Sequence, residues 1–521
     1  MPARSTSPRP WAVFLVTWLL FSALAALWSV ATPLAASPDE PAHIVKAASV
    51  VRGAFNNTDK GKGALVEVPQ YIAWTHAQTC TAFNAEATAA CIQDAPGDLT
   101  EIVDSTTTAG RYNPVYYLIV GSPSLVFENA GGIYAMRIVS GVLVSVFLAL
   151  TVMVLAGWRA RTLPVIAFGA AMTPMVFFLT GSVNPNALEV AATLAAFTAV
   201  TAVIVRPNPA LLAQRATIIA VAGVIAANTR AISPLWVAIA LLVPFILASR
   251  EQIRGLVRSR PVIISASVVV VGAAAALLWL RLTNTVATSS EAGGEAPEVP
   301  YAGSSPITGF ALMMLKFSQH LHEMIGVFGW LDTASPAEVY ALWGLFFGGL
   351  VIAAVVVLRG RQLIFALVLI VAVPIVPALV QAAFITSGGW IWQGRYALPV
   401  LVIALVGLGI MLADPFAGLA RRTRVILTSF AAAIWLVCQV LAFVTALQRY
   451  TVGASGSWFE MVLEPQWQPP GGVVLVLLAF LAVASLTTVL AFRWALGSPD
   501  EGEPADLAAE KTPDAAASVA R

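Results

Sequence analysis

The feature that most constrains this chain is a succession of apolar runs of about twenty residues, separated by short arginine-bearing loops. Each run is long enough to cross a bilayer as a helix, and a helix satisfies its own backbone hydrogen bonds where no water can. Runs near 11–31, 132–157, 162–181, 185–205, 212–229, 231–249, 261–282, 338–358, 362–385, 396–413, 424–447 and 471–494 carry the pattern. They predict an all-α polytopic membrane protein with about twelve transmembrane helices. Composition agrees, at 59% hydrophobic and 11% charged, where a soluble domain carries about a quarter charged residues. A formal charge of +2, with the basic residues confined to short loops, leaves no nucleic-acid surface. Arg greatly outnumbers Lys, and Ala and Val abound, a composition of high-GC bacterial kind.

Charge sets the orientation. Arg4 and Arg9, Arg159 and Arg161, Arg206 and Arg215, Arg250 to Arg260, Arg359 and Arg361, and Arg421 to Arg424 fall on one side if the spans alternate. That side is the cytosol, with both termini inside, as expected for the bacterial plasma membrane. Residues 1–10 are then a cytoplasmic N-terminus and 11–496 a transmembrane domain. Its extracytoplasmic segments are a large first loop, 32–131, then 283–337 and 449–470. Residues 497–521 read as a disordered acidic cytoplasmic tail. The apolar stretch Tyr112 to Phe127 must not cross, or every later basic loop would invert; it is read as an interfacial helix. The first run is longer than the apolar region of a signal peptide, so it is read as a retained span. The segment from Thr283 opens on a Ser/Glu/Gly/Pro stretch and then turns amphipathic.

Cys80 and Cys91 share the first loop, where an oxidising compartment favours a disulfide. Cys438 lies in a span and is read as packing. Asn56-Asn57-Thr58 matches a glycosylation acceptor, which in a bacterial protein is chance. No Cys/His spacing indicates zinc.

The ionisable residues that need explaining gather on the outer side. Asp39 and Glu40 follow Pro38 and open a helix reaching Val51. Asp39 is placed either as a helix N-cap or as a general base. His43 and Lys46 share a face of that helix, where a cation beside the carboxylates suits a phosphate. Arg111, ahead of Tyr112, Tyr116 and Tyr117, either snorkels or holds phosphate by two parallel bonds. Arg137 lies inside a span and needs a carboxylate, a phosphate or a water-filled cavity. Asn184 and Glu189 read as a cap and a first-turn acid, and Arg230 as an outer-edge cation. Lys316, His320 and Glu323 share a face, and Trp330 and Asp332 together suit a sugar. Gln393, Arg395 and Tyr396 enter a span from outside, where Arg395 requires a phosphate or an acid such as Asp332 or Glu189.

Pro-Asp-Glu-Pro-Ala-His at 38–43, Gly-Trp-Leu-Asp at 329–332 and Gln-Gly-Arg-Tyr-Ala-Leu-Pro at 393–399 resemble the bacterial membrane family known as domain of unknown function 2142. That family is similar to the GT-C glycosyltransferases, which use polyprenyl-phosphate sugars. The resemblance implies a GT-C-like fold and inverting sugar transfer to an envelope glycan or glycolipid acceptor. Asp39 would be the base, with Glu40 assisting or taking that role. Arg395, Arg111 and Lys316 would neutralise the leaving phosphate, and Trp330 and Asp332 would line the sugar pocket. His43, Lys46, Tyr116, Arg137, His320, Gln393 and Tyr396 complete the expected substrate-binding set. No motif names a cofactor; a divalent cation is compatible. The alternative classes are a transporter or flippase of lipid-linked glycans, or a non-catalytic scaffold of envelope assembly.

Overall fold

The computed structural model describes residues 10–55, 63–283 and 299–497. Outside them lie the first nine residues, Asn56-Asn57-Thr58, most of the Ser/Glu/Gly/Pro stretch after Thr283, and the acidic tail beyond Gly497. The principal helices are α1 (Pro10–Ala31), α2 (Glu40–Val50), α3 (Ala130–Leu155), α4 (Thr162–Ala171), α5 (Pro174–Thr180), α6 (Pro185–Val205), α7 (Pro209–Ala227) and α8 (Ser233–Leu247). They continue as α9 (Arg260–Leu282), α10 (Pro306–Leu315), α11 (Phe317–Gly326), α12 (Ala337–Val357), α13 (Gly360–Gly388), α14 (Gly394–Leu412), α15 (Arg421–Val452) and α16 (Val473–Leu496). Ten helices among the described residues are long and apolar enough to cross a membrane. The protein is a multi-pass membrane bundle.

The other two expected spans are present in altered form. The run 162–181 is α4 followed by α5, bent by 61°. Pro174 cannot donate to the preceding turn and pushes Thr173 into extended backbone, with ψ 159°. The carbonyls freed at the bend find side-chain donors: Trp343 donates to the Ala170 carbonyl, which Pro174 cannot reach, and Gln439 donates to the Met172 carbonyl. The run 231–249 is the shorter α8, whose last turn tightens to 3-10 geometry at Pro244.

Burial orders the bundle. Along their apolar stretches 94% of α6 and of α14 is buried, against 17% of α9, so α6 and α14 form the centre and α9 the rim. Helices α1 and α3 pack antiparallel: Trp18 donates to the Val142 carbonyl, and Arg137 donates to the Ser29 carbonyl. The C-terminal end of α1, the start of α3 and the start of α14 therefore gather at one end of the bundle, where the long loops lie. An apolar cavity of about 310 Å³ between α1, α4, α15 and α16, lined by Val16, Leu20, Phe168, Trp435 and Ala491, touches no candidate site residue.

The stretch 112–127 becomes a short helix, Val115–Val120, and a turn, Ser122–Leu125, both too short to cross. Leu118, Ile119, Val126 and Phe127 are exposed. The loops also carry strands that an all-α reading omits. Strand β1 (Ala64–Pro69) pairs antiparallel with β2 (Ile102–Thr107), Ala64 opposite Thr107. Strands β3 (Val327–Phe328) and β4 (Thr333–Ala334) close the Gly-Trp-Leu-Asp motif into a hairpin.

Candidate active site

The turn between α1 and α2 decides where Asp39 points. Asp39 occupies the N-cap position of α2 but makes no side-chain cap bond, and its φ is +61°. A left-handed aspartate that does not cap its helix is strained without local return. Its carboxylate turns instead to Arg395, whose Nη2 donates to Asp39 Oδ2 at 2.5 Å. The two ends differ: the guanidinium is 1% exposed, the carboxylate 46%. The N-cap reading of Asp39 is thus corrected, and the partner of Arg395 is Asp39 rather than Asp332 or Glu189.

Arg395 is delivered by a tight approach of α11 to the head of α14. The Gly394 amide donates to Glu323 Oε2 at 2.6 Å, and Gln319 holds the other carboxylate oxygen. A Cβ on Gly394 would fall 2.3 Å from the His320 carbonyl oxygen, so only glycine fits there. Tyr396 lies between two cations, with Arg230 4.3 Å and Arg395 5.2 Å from its ring centre. Arg230 is in turn paired with Glu189 at 3.3 Å, and the Ser233 hydroxyl donates to that same carboxylate. Asn184 caps α6 through the Asn186 amide, as expected.

The enclosed surroundings alone would raise the Asp39 carboxyl. Arg395 outweighs them, aided by the positive field of Arg230, and holds it below the usual carboxylate range. His43 shares Nδ1 with the Tyr117 hydroxyl at 2.8 Å, and burial pushes its pKa down to about 3, so its ring is neutral at ordinary pH. His43 therefore offers a phosphate no positive charge.

Several expected site residues turn out to hold the fold. Glu40 is fully buried against Arg137, with Arg137 Nε and Nη2 donating to its two oxygens at 2.7 and 2.5 Å. Arg137 also donates to the carbonyls of Ser29, Thr32 and Pro33, and Glu40 accepts the Val183 amide. Neither side chain is exposed, so this pair joins α1, α2, α3 and the α5–α6 turn. Lys46 is fully buried and donates to the Phe55 and Gly110 carbonyls. Tyr116 is buried against the Ser140 hydroxyl. Asp332 is paired with Arg449 at 3.3 Å and accepts from Thr333. These bonds bind their groups to the protein itself, where the sequence reading expected substrate.

The others lie around the site's margin. Arg111 is half-buried, and its carbonyl accepts from Trp279. Lys316 lies over Trp390, its ammonium 5.0 Å from the ring centre, and His320 stacks on the same indole. Gln393 is half-buried beside Arg395. Trp330 donates to the Ala35 carbonyl, four residues before Asp39. Cys80 and Cys91 are joined by a disulfide, and Cys438 is buried in α15. Among the described residues no three His, Cys, Asp or Glu stand together in a group able to hold a metal ion. Arg230, Glu323 and Arg449 carry more of the architecture than sequence reasoning assigned them; a charge entering an apolar span is the signal common to Arg230 and Arg449.

The model of the family described as "Predicted membrane protein (DUF2142)" matches residues 21–404. The chain belongs to this family. The match takes in Asp39, Arg230, Asp332 and Arg395 alike. No curated protein matches in sequence. Among solved structures the chain is similar to ArnT from Cupriavidus metallidurans bound to undecaprenyl phosphate. There the identity is 15% and the TM-score 0.42, over 94% of this chain and 76% of that one. It is similar to the apo state of the same protein at 13% identity and a TM-score of 0.41, over 94% and 77%.

Proposed function

We propose that this protein is a membrane glycosyltransferase that moves a sugar from a polyprenyl-phosphate donor to an envelope glycan or glycolipid. The reaction takes place on the extracytoplasmic face of the bacterial plasma membrane, with both termini in the cytosol. The observation that carries the reading is the ion pair between a strained, half-exposed Asp39 and a buried Arg395, with Arg230 across Tyr396. A base open to an acceptor and cations able to meet a leaving phosphate thus stand together.

The acceptor oxygen attacks the anomeric carbon from the side opposite the phosphate, and its proton passes to Asp39. The anomeric C–O bond to phosphate breaks, and its electron pair leaves with polyprenyl phosphate, whose charge Arg395 and Arg230 neutralise. The configuration inverts. In the resting pair Arg395 keeps Asp39 a poor base. A donor phosphate competes for the same guanidinium and releases Asp39, so basicity rises when substrate is in place.

The transporter reading finds one feature in its favour, the bent span α4–α5. The carbonyls freed at that bend are met by Trp343 and Gln439, and no ionisable residue lies between Thr162 and Ser182. The bend is therefore read as packing. The test is reconstitution in liposomes with a panel of labelled polyprenyl-phosphate sugars and envelope lipid extract. Release of polyprenyl phosphate coupled to labelled acceptor supports the enzyme; movement of intact donor across the bilayer without cleavage refutes it.

A further inference from the structure

The first loop presents an aromatic side chain for which the fold has no use. Phe83 is 76% exposed, and its backbone is held at φ +60°. A large apolar side chain in water on left-handed backbone gains nothing from burial and nothing from local conformation. The loop around it is nonetheless fixed firmly. The Cys80–Cys91 disulfide closes it. Arg449, 1% exposed, donates to the carbonyls of Thr81, Asn84 and Ala87 and to the Thr333 hydroxyl. Glu86 accepts from the Ser455 amide and hydroxyl, and Thr88 donates to Gln466.

What this clamp accomplishes is to set Phe83 against Trp330. The ring centres are 5.5 Å apart and the planes tilted by 59°. Trp330 is fixed in turn by its bond to the Ala35 carbonyl, in the same turn that ends at Asp39. The hairpin that carries Trp330 also requires Leu331 at φ +64°, a second strained residue at the same spot. Phe83 is open to water, and the Trp330 indole beside it is tied to the turn that leads, four residues on, to Asp39.

We propose that Phe83 and Trp330 form the platform on which the saccharide acceptor lies, the C–H face of a sugar ring resting on the aromatic surface. The proposal deepens the glycosyltransferase reading and rests on Asp39 as the base. Asp332, which the sequence assigned to the sugar pocket, serves this platform indirectly by holding Arg449. Stacking suits a neutral sugar ring here, because Asp332 and Glu86 are already committed to Arg449 and Ser455.

The test uses the full-length protein in lipid nanodiscs and reads binding without turnover. Saturation-transfer NMR is run with a panel of neutral oligosaccharides of glucose, galactose, mannose and arabinose. The expected result is contact with at least one member. Its binding weakens roughly 3- to 10-fold in Phe83→Ala and is retained in Phe83→Tyr. Equal binding by Phe83→Ala, or no binding of any member, overturns the platform. A bound oligosaccharide in a protein that transfers nothing would refute the base and leave the platform standing, so the two failures are distinguishable.

Discussion

The Glu40–Arg137 pair offers the sharpest test of which acid is structural. Glu40→Gln keeps the shape and removes the charge. Arg137, with 0% side-chain exposure, is then left as a buried cation with no counter-charge, its remaining acceptors the one Gln amide oxygen and the carbonyls of Ser29, Thr32 and Pro33. Breaking a buried ion pair by removing one partner costs about 3–5 kcal/mol. The three carbonyls compensate in part, so the expected loss is near the lower end, about 3 kcal/mol. The matched double variant, Glu40→Leu with Arg137→Met, leaves no charge stranded and is expected to be more stable than Arg137→Met or Glu40→Gln alone. Tryptophan fluorescence during denaturation in mixed micelles measures both. If Glu40→Gln unfolds as the unmodified protein does while sugar transfer is lost, Glu40 belongs to the chemistry and its structural assignment is refuted.

Arg395→Gln frees the Asp39 carboxyl from the cation that lowers it, so the acidic limb of the transfer rate is expected to move to higher pH. The stability that the Asp39–Arg395 pair contributes is complete above the ordinary carboxylate range and fades as pH falls through the lowered value; the variant lacks that dependence. An acidic limb unchanged in Arg395→Gln would contradict the pairing. Burial lowers Lys46 to about 8, so between about pH 8 and 10 the unfolded chain holds the proton more tightly and stability rises with pH. Lys46→Met is expected to lose that rise in a pH series of thermal unfolding while keeping its activity per folded molecule. The Cys80–Cys91 disulfide spans 11 residues of sequence, which by loop closure corresponds to about 3 kcal/mol. Cys80→Ser with Cys91→Ser is expected to open the first loop to protease, and equal resistance would contradict a clamped loop.

The spans were legible because apolar length is a one-dimensional property, so each expected run meets a helix. The details that failed depend on single residues acting in three dimensions. Pro174 breaks α4 from α5, and β1 and β2 pair across a long stretch of loop. At the site, Arg395 was legible because a cation entering a span from outside demands a partner. The identity of that partner, 356 residues away in the chain, was not. Arg137 announced the same need, and Glu40, the neighbour of Asp39, meets it from a fully buried position. Lys46 and Asp332 resemble binding groups by type, but Lys46 is spent on backbone carbonyls and Asp332 on Arg449, partners that no local spacing reveals. Phe83 carried no pattern at all; only its exposure and backbone mark it.

The central claim is that Asp39 takes the acceptor's proton while Arg395 holds the donor's phosphate. The direct measurement is donor binding and sugar transfer on the same reconstituted samples of Asp39→Asn and Arg395→Gln. The account predicts that Asp39→Asn binds polyprenyl phosphate at least as tightly as the unmodified protein yet loses about 10²–10⁴ in transfer rate, while Arg395→Gln loses binding as well. Transfer by Asp39→Asn at the unmodified rate would contradict it.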